Sequence, residues 1–220
     1  MLKNFIFDLD GTIIDSSKEV LSCFDKAFKL SGVDFDQARL SSDVIGPPLK
    51  EIIKLIAGRE LNENNIAAIT SNFRKIYDYD ENDVSELYLG IHDFLLNLKR
   101  SGYKLFIATL KPDKPTMRIV KQFNLNMFDD VYSIDKFGRQ ISKADMIIDI
   151  LERYHLEKSE TVMIGDSLSD IRAAKQAGVL DIAVLWGYDK DKSSLIKEST
   201  YVVSNVEELN KCLKLNCQII

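Results

Sequence analysis

The stretch "NFIFDLDGTIIDS", residues 4–16, decides how the chain folds. Four of its first six residues are apolar, Asp8 and Asp10 stand two positions apart, and Gly11 and Thr12 follow. A short apolar run of this kind reads as a strand buried on both faces. Residues two apart on a regular strand face the same way, so the two carboxylates converge at its end. Like charges that close repel unless a cation or a shared proton relieves them. Gly11 then permits a tight turn and a close backbone approach to a ligand. A single aspartate before a glycine is also an ordinary turn residue or helix cap, so the pair gains meaning only with the rest of the chain.

Similar runs recur at "YKLFIAT" (103–109), "DVYSI" (130–134), "TVMIG" (161–165), "IAVLW" (182–186) and "YVVS" (201–204). After residue 85 they alternate with helical patterns, "LGIHDFLLNLKRSG" (89–102) and "KADMIIDILERYH" (143–155) among them. In the second, Met146, Ile147, Ile150, Leu151 and Tyr154 form one apolar face. Strand–helix alternation predicts an α/β fold, a doubly wound, Rossmann-like parallel sheet whose ligand site lies at the carboxyl ends of its strands.

Residues 16–84 break that alternation. "SSKEVLSCFDKAFKLSG" (16–32) opens with capping-box spacing, Ser16 to Glu19, and continues as an amphipathic helix. "PPLKEIIKLIAG" (47–58) and "NIAAITSNFRKIYDYD" (65–80) are helical by period. The chain is therefore expected to form an α/β core from residues 1–15 and 85–220, with a helical insert over 16–84 above the strand ends. The polar edges "DSS" (15–17) and "ENDVSE" (81–86) read as its hinges.

Against 34 acidic residues stand 29 lysines and arginines, a net charge of -5 with no long block of one sign, which argues against nucleic acid as a partner. The chain starts "MLKNFIF" with no long apolar segment, so neither a signal peptide nor a membrane span is expected. Cys23, Cys212 and Cys217 lack metal-ligand spacing and suit a reduced, cytoplasmic setting.

Chemistry matching the aspartate pair follows other strands. "LFIATLKP" ends a strand with Thr109, a hydroxyl, and then Lys111. "QISKADM" puts Lys143 at a helix start, where the dipole and the ammonium both favour an anion. "VMIGDSLSD" ends a strand at Gly165 and Asp166, with Asp170 four residues on. Carboxylates, a hydroxyl and a lysine on adjacent strand ends describe a site for Mg²⁺ and a phosphoryl group.

With "DLDGT" (8–12), "ATLKP" (108–112), Lys143 and "GDSLSD" (165–170) in that order, the chain resembles the haloacid dehalogenase superfamily. The likeness is to its phosphatases with a helical cap after the first strand. "IGPPLKE" (45–51) and "VLWGY" (184–188) suggest the phosphoglycolate phosphatase-like branch. The resemblance implies roles. Asp8 is the nucleophile that forms an aspartyl phosphate, and Asp10 is general acid, then general base. Mg²⁺ is bound by Asp8, Asp166 and the Asp10 backbone carbonyl, supported by Asp170; Thr12 orients Asp10. Thr109, the Leu110 backbone N–H and Lys143 hold the phosphate. Gly46, Pro47 and Lys50 form a cap loop that meets the substrate.

Plainer readings stand beside several of these. Ser167 to Asp170 is also capping-box spacing, Gly46 and Pro47 are also loop punctuation, and Lys50 reads first as a solvated lysine. Lys111 is either a solvated loop charge or a partner of the site's aspartates. The family usually has Ser or Asn where Leu110 stands, so a side-chain contact to phosphate is missing. His92, His155 and Trp186 read as structural.

The implied function is Mg²⁺-dependent hydrolysis of a small soluble phosphate: phosphoglycolate, a 5′-nucleotide, pyrophosphate or a sugar phosphate. A phosphomutase on the same scaffold is disfavoured, because "DSSKEVLSCFDK" (15–26) lacks the histidine such enzymes carry there. A non-catalytic phosphate-binding regulator is the rival from another class.

Overall fold

The computed structural model describes residues 1–79, 84–139 and 141–216. Each of the six apolar runs overlaps a strand: β1 (Asn4–Phe7), β4 (Lys104–Ala108), β5 (Asp130–Tyr132), β6 (Thr161–Gly165), β7 (Leu180–Val184), which starts two residues before its run, and β8 (Tyr201–Val203). They form one sheet in the order β5-β4-β1-β6-β7-β8, and the neighbouring strands run parallel. A second, two-stranded sheet pairs β2 (Ile14–Asp15) with β3 (Glu86–Leu87).

The period-two pattern of the strands builds both faces of the sheet. Phe5 and Phe7 of β1, with Leu105, Ile107, Val162 and Ile164, enter one core cluster; Ile6, Phe106 and Met163 enter another on the opposite face. Helices cover both. α4 (Ile91–Arg100), α5 (Asp113–Gln122) and α9 (Val206–Asn216) pack on the Phe5 side, while α6 (Lys143–Arg153) and α7 (Leu168–Ala177) pack on the Ile6 side. α8 (Lys192–Glu198) adds Leu195 to a smaller cluster with Ile171 and Ala183. This is the doubly wound α/β architecture that the strand–helix alternation predicts. β1 lies in the middle, and the winding proceeds outward from it in both directions, so the loops after β4 and β6 flank the end of β1, where such sheets bind ligands.

The chain divides into two compact units, Met1–Asp15 with Leu87–Ile220, and Ser16–Glu86. The second consists of α1 (Ser17–Leu30), α2 (Leu49–Ala57), α3 (Glu63–Tyr79) and two short 3₁₀ turns. Its centre is aromatic and aliphatic: Phe24 of α1 and Phe73 of α3 have ring centroids 4.3 Å apart, and Ile53, Ile56, Ile66 and Ile69 are buried. Gly58, in the left-handed region, ends α2. The capping box expected at Ser16 and Glu19 does not form. Ser16 makes no side-chain cap bond, and Glu19 is buried, accepting a hydrogen bond from Ser85 Oγ at 3.1 Å.

Of the expected hinge "ENDVSE", residues 81–83 lie outside the described residues, as does Cys217; Cys23 is buried and Cys212 half-buried. Trp186 lies in a turn past the end of β7 rather than on the strand, and packs against the main core cluster. Among the described residues no helix is long and apolar enough to cross a membrane.

Candidate active site

The register of β1 determines what meets Asp8. Phe7 pairs with Ile107 on β4 and Ile164 on β6, so Thr109 and Asp166 leave their strands two residues past those partners. Backbone bonds carry the ladder further: the Asp8 N–H donates to Ile164 O (2.9 Å) and the Thr109 N–H to Tyr132 O (2.8 Å). Beyond Leu9 the chain turns tightly. Gly11 has φ +79°, and the N–H groups of Thr12 and Ile13 return to Leu9 O. A side chain is excluded at Gly11 twice over, because a Cβ there would also run into the Asp166 carboxylate.

Lys143 is placed by the start of α6. Ser142 and Asp145 form a capping box, with Asp145 N–H donating to Ser142 Oγ (3.1 Å) and Ser142 N–H to Asp145 Oδ2 (3.2 Å). From that fixed start the buried Lys143 ammonium reaches Asp8 Oδ1 at 2.9 Å and also pairs with Asp170 Oδ1. Asp170 serves two ends of the site. Its Oδ2 accepts from the N–H (3.0 Å) and hydroxyl (2.7 Å) of Ser167 at the start of α7, while Oδ1 meets Lys143. Asp170 thus caps α7 and at the same time pairs with the lysine that reaches Asp8.

Asp166 is held by the backbone. Tyr188 N–H donates to its Oδ2 at 2.6 Å, and the Thr12 hydroxyl is aimed at its Oδ1 at a long 3.4 Å. Thr12 thus faces Asp166, whereas orientation of Asp10 was expected of it. Glycines clear the space around these carboxylates: a Cβ on Gly187 would collide with the Asp166 side chain, and one on Gly165 with that of Asp170. Trp186 Nε1 donates to Thr12 O at 3.1 Å, tying the turn after β7 to the turn after β1.

Among the described residues, Asp8, Asp166 and Asp170 offer carboxylate oxygens within 4.8 Å of one another, all three buried. Burial pushes the Asp8 carboxyl up to about 8; Lys143 opposes this, and the Asp170 and Asp166 charges reinforce it. Burial and the Asp170 charge likewise push Asp166 up to about 7, against the Tyr188 hydrogen bond. Burial lowers the affinity of Lys143 for its proton, but Asp170 and Asp8 outweigh it and hold the ammonium above its ordinary range. An all-oxygen cluster of crowded carboxylates fits a hard divalent cation, which would relieve the repulsion.

The structure therefore brings Asp8, Asp10, Thr12, Thr109, Lys143, Asp166 and Asp170 together at the strand ends. Leu110 follows Thr109 and is 44% exposed. Lys111 is buried, with Nζ 3.1 Å from Asp10 Oδ1, so the solvated-loop alternative does not hold. Gly46, Pro47 and Lys50 belong to the insert unit, where Lys50 is exposed and pairs with Glu63 at 3.1 Å. Gly187 and the Tyr188 N–H were given no site role from the sequence, although "VLWGY" (184–188) was read as a mark of the branch.

A family model described as haloacid dehalogenase-like hydrolase matches residues 5–184. Over 212 residues the chain is 29% identical to the tyrosine-protein kinase PtkA of Mycobacterium tuberculosis, covering 94% of this chain and 71% of that protein. It is 27% identical over 215 residues to a phosphoglycolate phosphatase of Vibrio cholerae, covering 94% and 95%. A haloacid dehalogenase-like hydrolase of Streptococcus pneumoniae superposes with a TM-score of 0.82 at 26% identity, covering 96% of this chain and 98% of that one.

Proposed function

The chain belongs to the haloacid dehalogenase-like hydrolase family, and we propose that it is a Mg²⁺-dependent phosphatase that cleaves small phosphate monoesters through a phosphoryl group carried on Asp8. One observation carries this reading: at the end of β1, the buried Asp8 carboxylate shares the Lys143 ammonium with Asp170. A carboxylate beside a fixed buried cation is suited to attack phosphorus, because the same cation offsets the charge on the arriving phosphoryl oxygens.

An Asp8 oxygen bonds to phosphorus as the ester P–O bond breaks, and the departing oxygen takes a proton from the Asp10 carboxyl. Water then attacks that phosphorus and gives a proton to Asp10 as the bond to Asp8 breaks. Inorganic phosphate leaves, and both carboxyl groups return to their starting states. Thr109, whose Oγ accepts from the Lys111 N–H at 3.1 Å, keeps its own proton to donate to the phosphoryl group. The Leu110 N–H and Lys143 hold its other oxygens. Asp8 and Asp166, the Asp10 carbonyl and Asp170 are the groups to hold Mg²⁺, which when bound neutralises carboxylate and phosphoryl charge.

The helical insert, entered directly after the Asp8 motif, is read as the cap that selects the substrate, with Gly46, Pro47 and Lys50 as its candidate contacts. The likeness to the Vibrio cholerae enzyme makes phosphoglycolate the first ester to test, ahead of 5′-nucleotides, pyrophosphate and sugar phosphates. The likeness to PtkA favours a second reading, phosphoryl transfer to a protein tyrosine.

Phosphate release from this panel, with Mg²⁺ and with EDTA, tests the proposal. Release that needs Mg²⁺ and favours one ester is expected, together with a Mg²⁺-induced rise in melting temperature that Asp166→Asn diminishes. No release from any ester by folded protein would turn belief to a phosphomutase or a regulator. Transfer of label from ATP to a tyrosine peptide, without ester hydrolysis, would establish the second reading.

A further inference from the structure

Lys111 is a buried cation that the scheme above leaves without a task. Its side chain is 1% exposed, against 26% for that of Asp10, and its Nζ donates to Asp10 Oδ1 at 3.1 Å. The root of the side chain is pinned. The Lys111 N–H donates to Thr109 Oγ at 3.1 Å, and its carbonyl accepts from the Ile134 N–H at 3.3 Å. Pro112, with its φ restricted by the ring, follows at the start of α5. The ammonium is thus anchored to the end of β4, the strand beside β1, while Asp10 stands in the turn that leaves β1.

A surface ion pair contributes little and breaks readily, but a buried ammonium is costly unless it keeps its acceptors, and Asp10 Oδ1 is one that serves with or without a proton on the other oxygen. The pair therefore restrains the more exposed partner, and that partner is the carboxyl that must meet the substrate. We infer that Lys111 is a positioning residue for Asp10: it fixes the carboxyl of the general acid against the end of β4, with the exposed part of that carboxyl open to the leaving oxygen. The assignment rests on the reading of Asp10 as the acid. It gives Lys111 no bond-making step. The competing assignment, in which Lys111 neutralises a second anionic group on the substrate, predicts a different dependence.

The test uses the full-length protein and two phosphate esters of equal charge, an alkyl phosphate and dinitrophenyl phosphate. The alkoxide of the first needs a proton as it departs; the dinitrophenolate does not. Values of kcat/KM report the steps up to departure of the alcohol. In Lys111→Met and Lys111→Gln, kcat/KM for the alkyl ester should fall about 10- to 100-fold further than for the aryl ester. KM should change little, and Lys111→Arg should recover much of the loss. Equal losses on both esters, no loss, or a loss that follows the number of negative charges on the substrate would overturn the inference. The wild-type protein tests the parent reading separately: if it hydrolyses neither ester, the phosphatase reading fails before Lys111 is tested.

Discussion

At the strand ends of the core, Lys143 and Asp170 pair with side chains 5% and 0% exposed, whereas in the helical insert Lys50 and Glu63 pair at 64% and 79%. What sets the two pairs apart is their surroundings. In the core the charges are largely shielded from water, so each depends on the others, and Lys143 offsets the repulsion between Asp8 and Asp170. On the insert, water screens both partners and the pair contributes little. Charge in the core shapes the site; on the surface of the insert it is dispensable to the fold.

The sharpest way to break this contrast is at Asp8. Asp8→Asn is nearly isosteric and should leave the fold intact, yet turnover should fall by roughly 10³-fold or more, because an amide is no nucleophile toward phosphorus. Full activity in this variant would end the assignment. Next comes Lys143→Met, which leaves Asp8 and Asp170 buried without their shared cation. Denaturant unfolding should show a loss of roughly 3–5 kcal/mol, with activity lost as well. A loss below about 1 kcal/mol would mean that the core pair behaves as a surface pair does. Smallest is Lys50→Ala on the insert, which should move stability by no more than about 0.5 kcal/mol. An unchanged melting curve with a raised KM would sharpen the contrast, because it would make Lys50 a substrate contact rather than a fold contact.

Much of the core was legible because its signals are local. Alternate residues of β1, β4 and β6 supply opposite faces of one sheet, so apolar runs located the strands and their order in the chain gave the winding. Asp8, Asp166 and Lys143 were legible for the same reason, since each follows a strand or opens a helix. Features that depend on distant partners were not. Lys111 precedes a proline, and its sequence left open both a solvated loop charge and a partner of the site's aspartates; the pairing of β4 with β1, which buries it against Asp10, decides between them. The Tyr188 N–H that binds Asp166 is a backbone donor with no side-chain signature. At Glu19 the capping-box spacing was right, but Ser85, far along the chain, takes the carboxylate instead.

Trapping a phosphorylated intermediate shows whether Asp8 carries the phosphoryl group. The protein is mixed with Mg²⁺ and its best ester, quenched in acid and reduced with borohydride, which converts an aspartyl phosphate to homoserine. Peptide mass spectrometry should then find homoserine at position 8, and only when substrate was present. Steady release of phosphate with position 8 unmodified, or homoserine at another aspartate, would contradict the account.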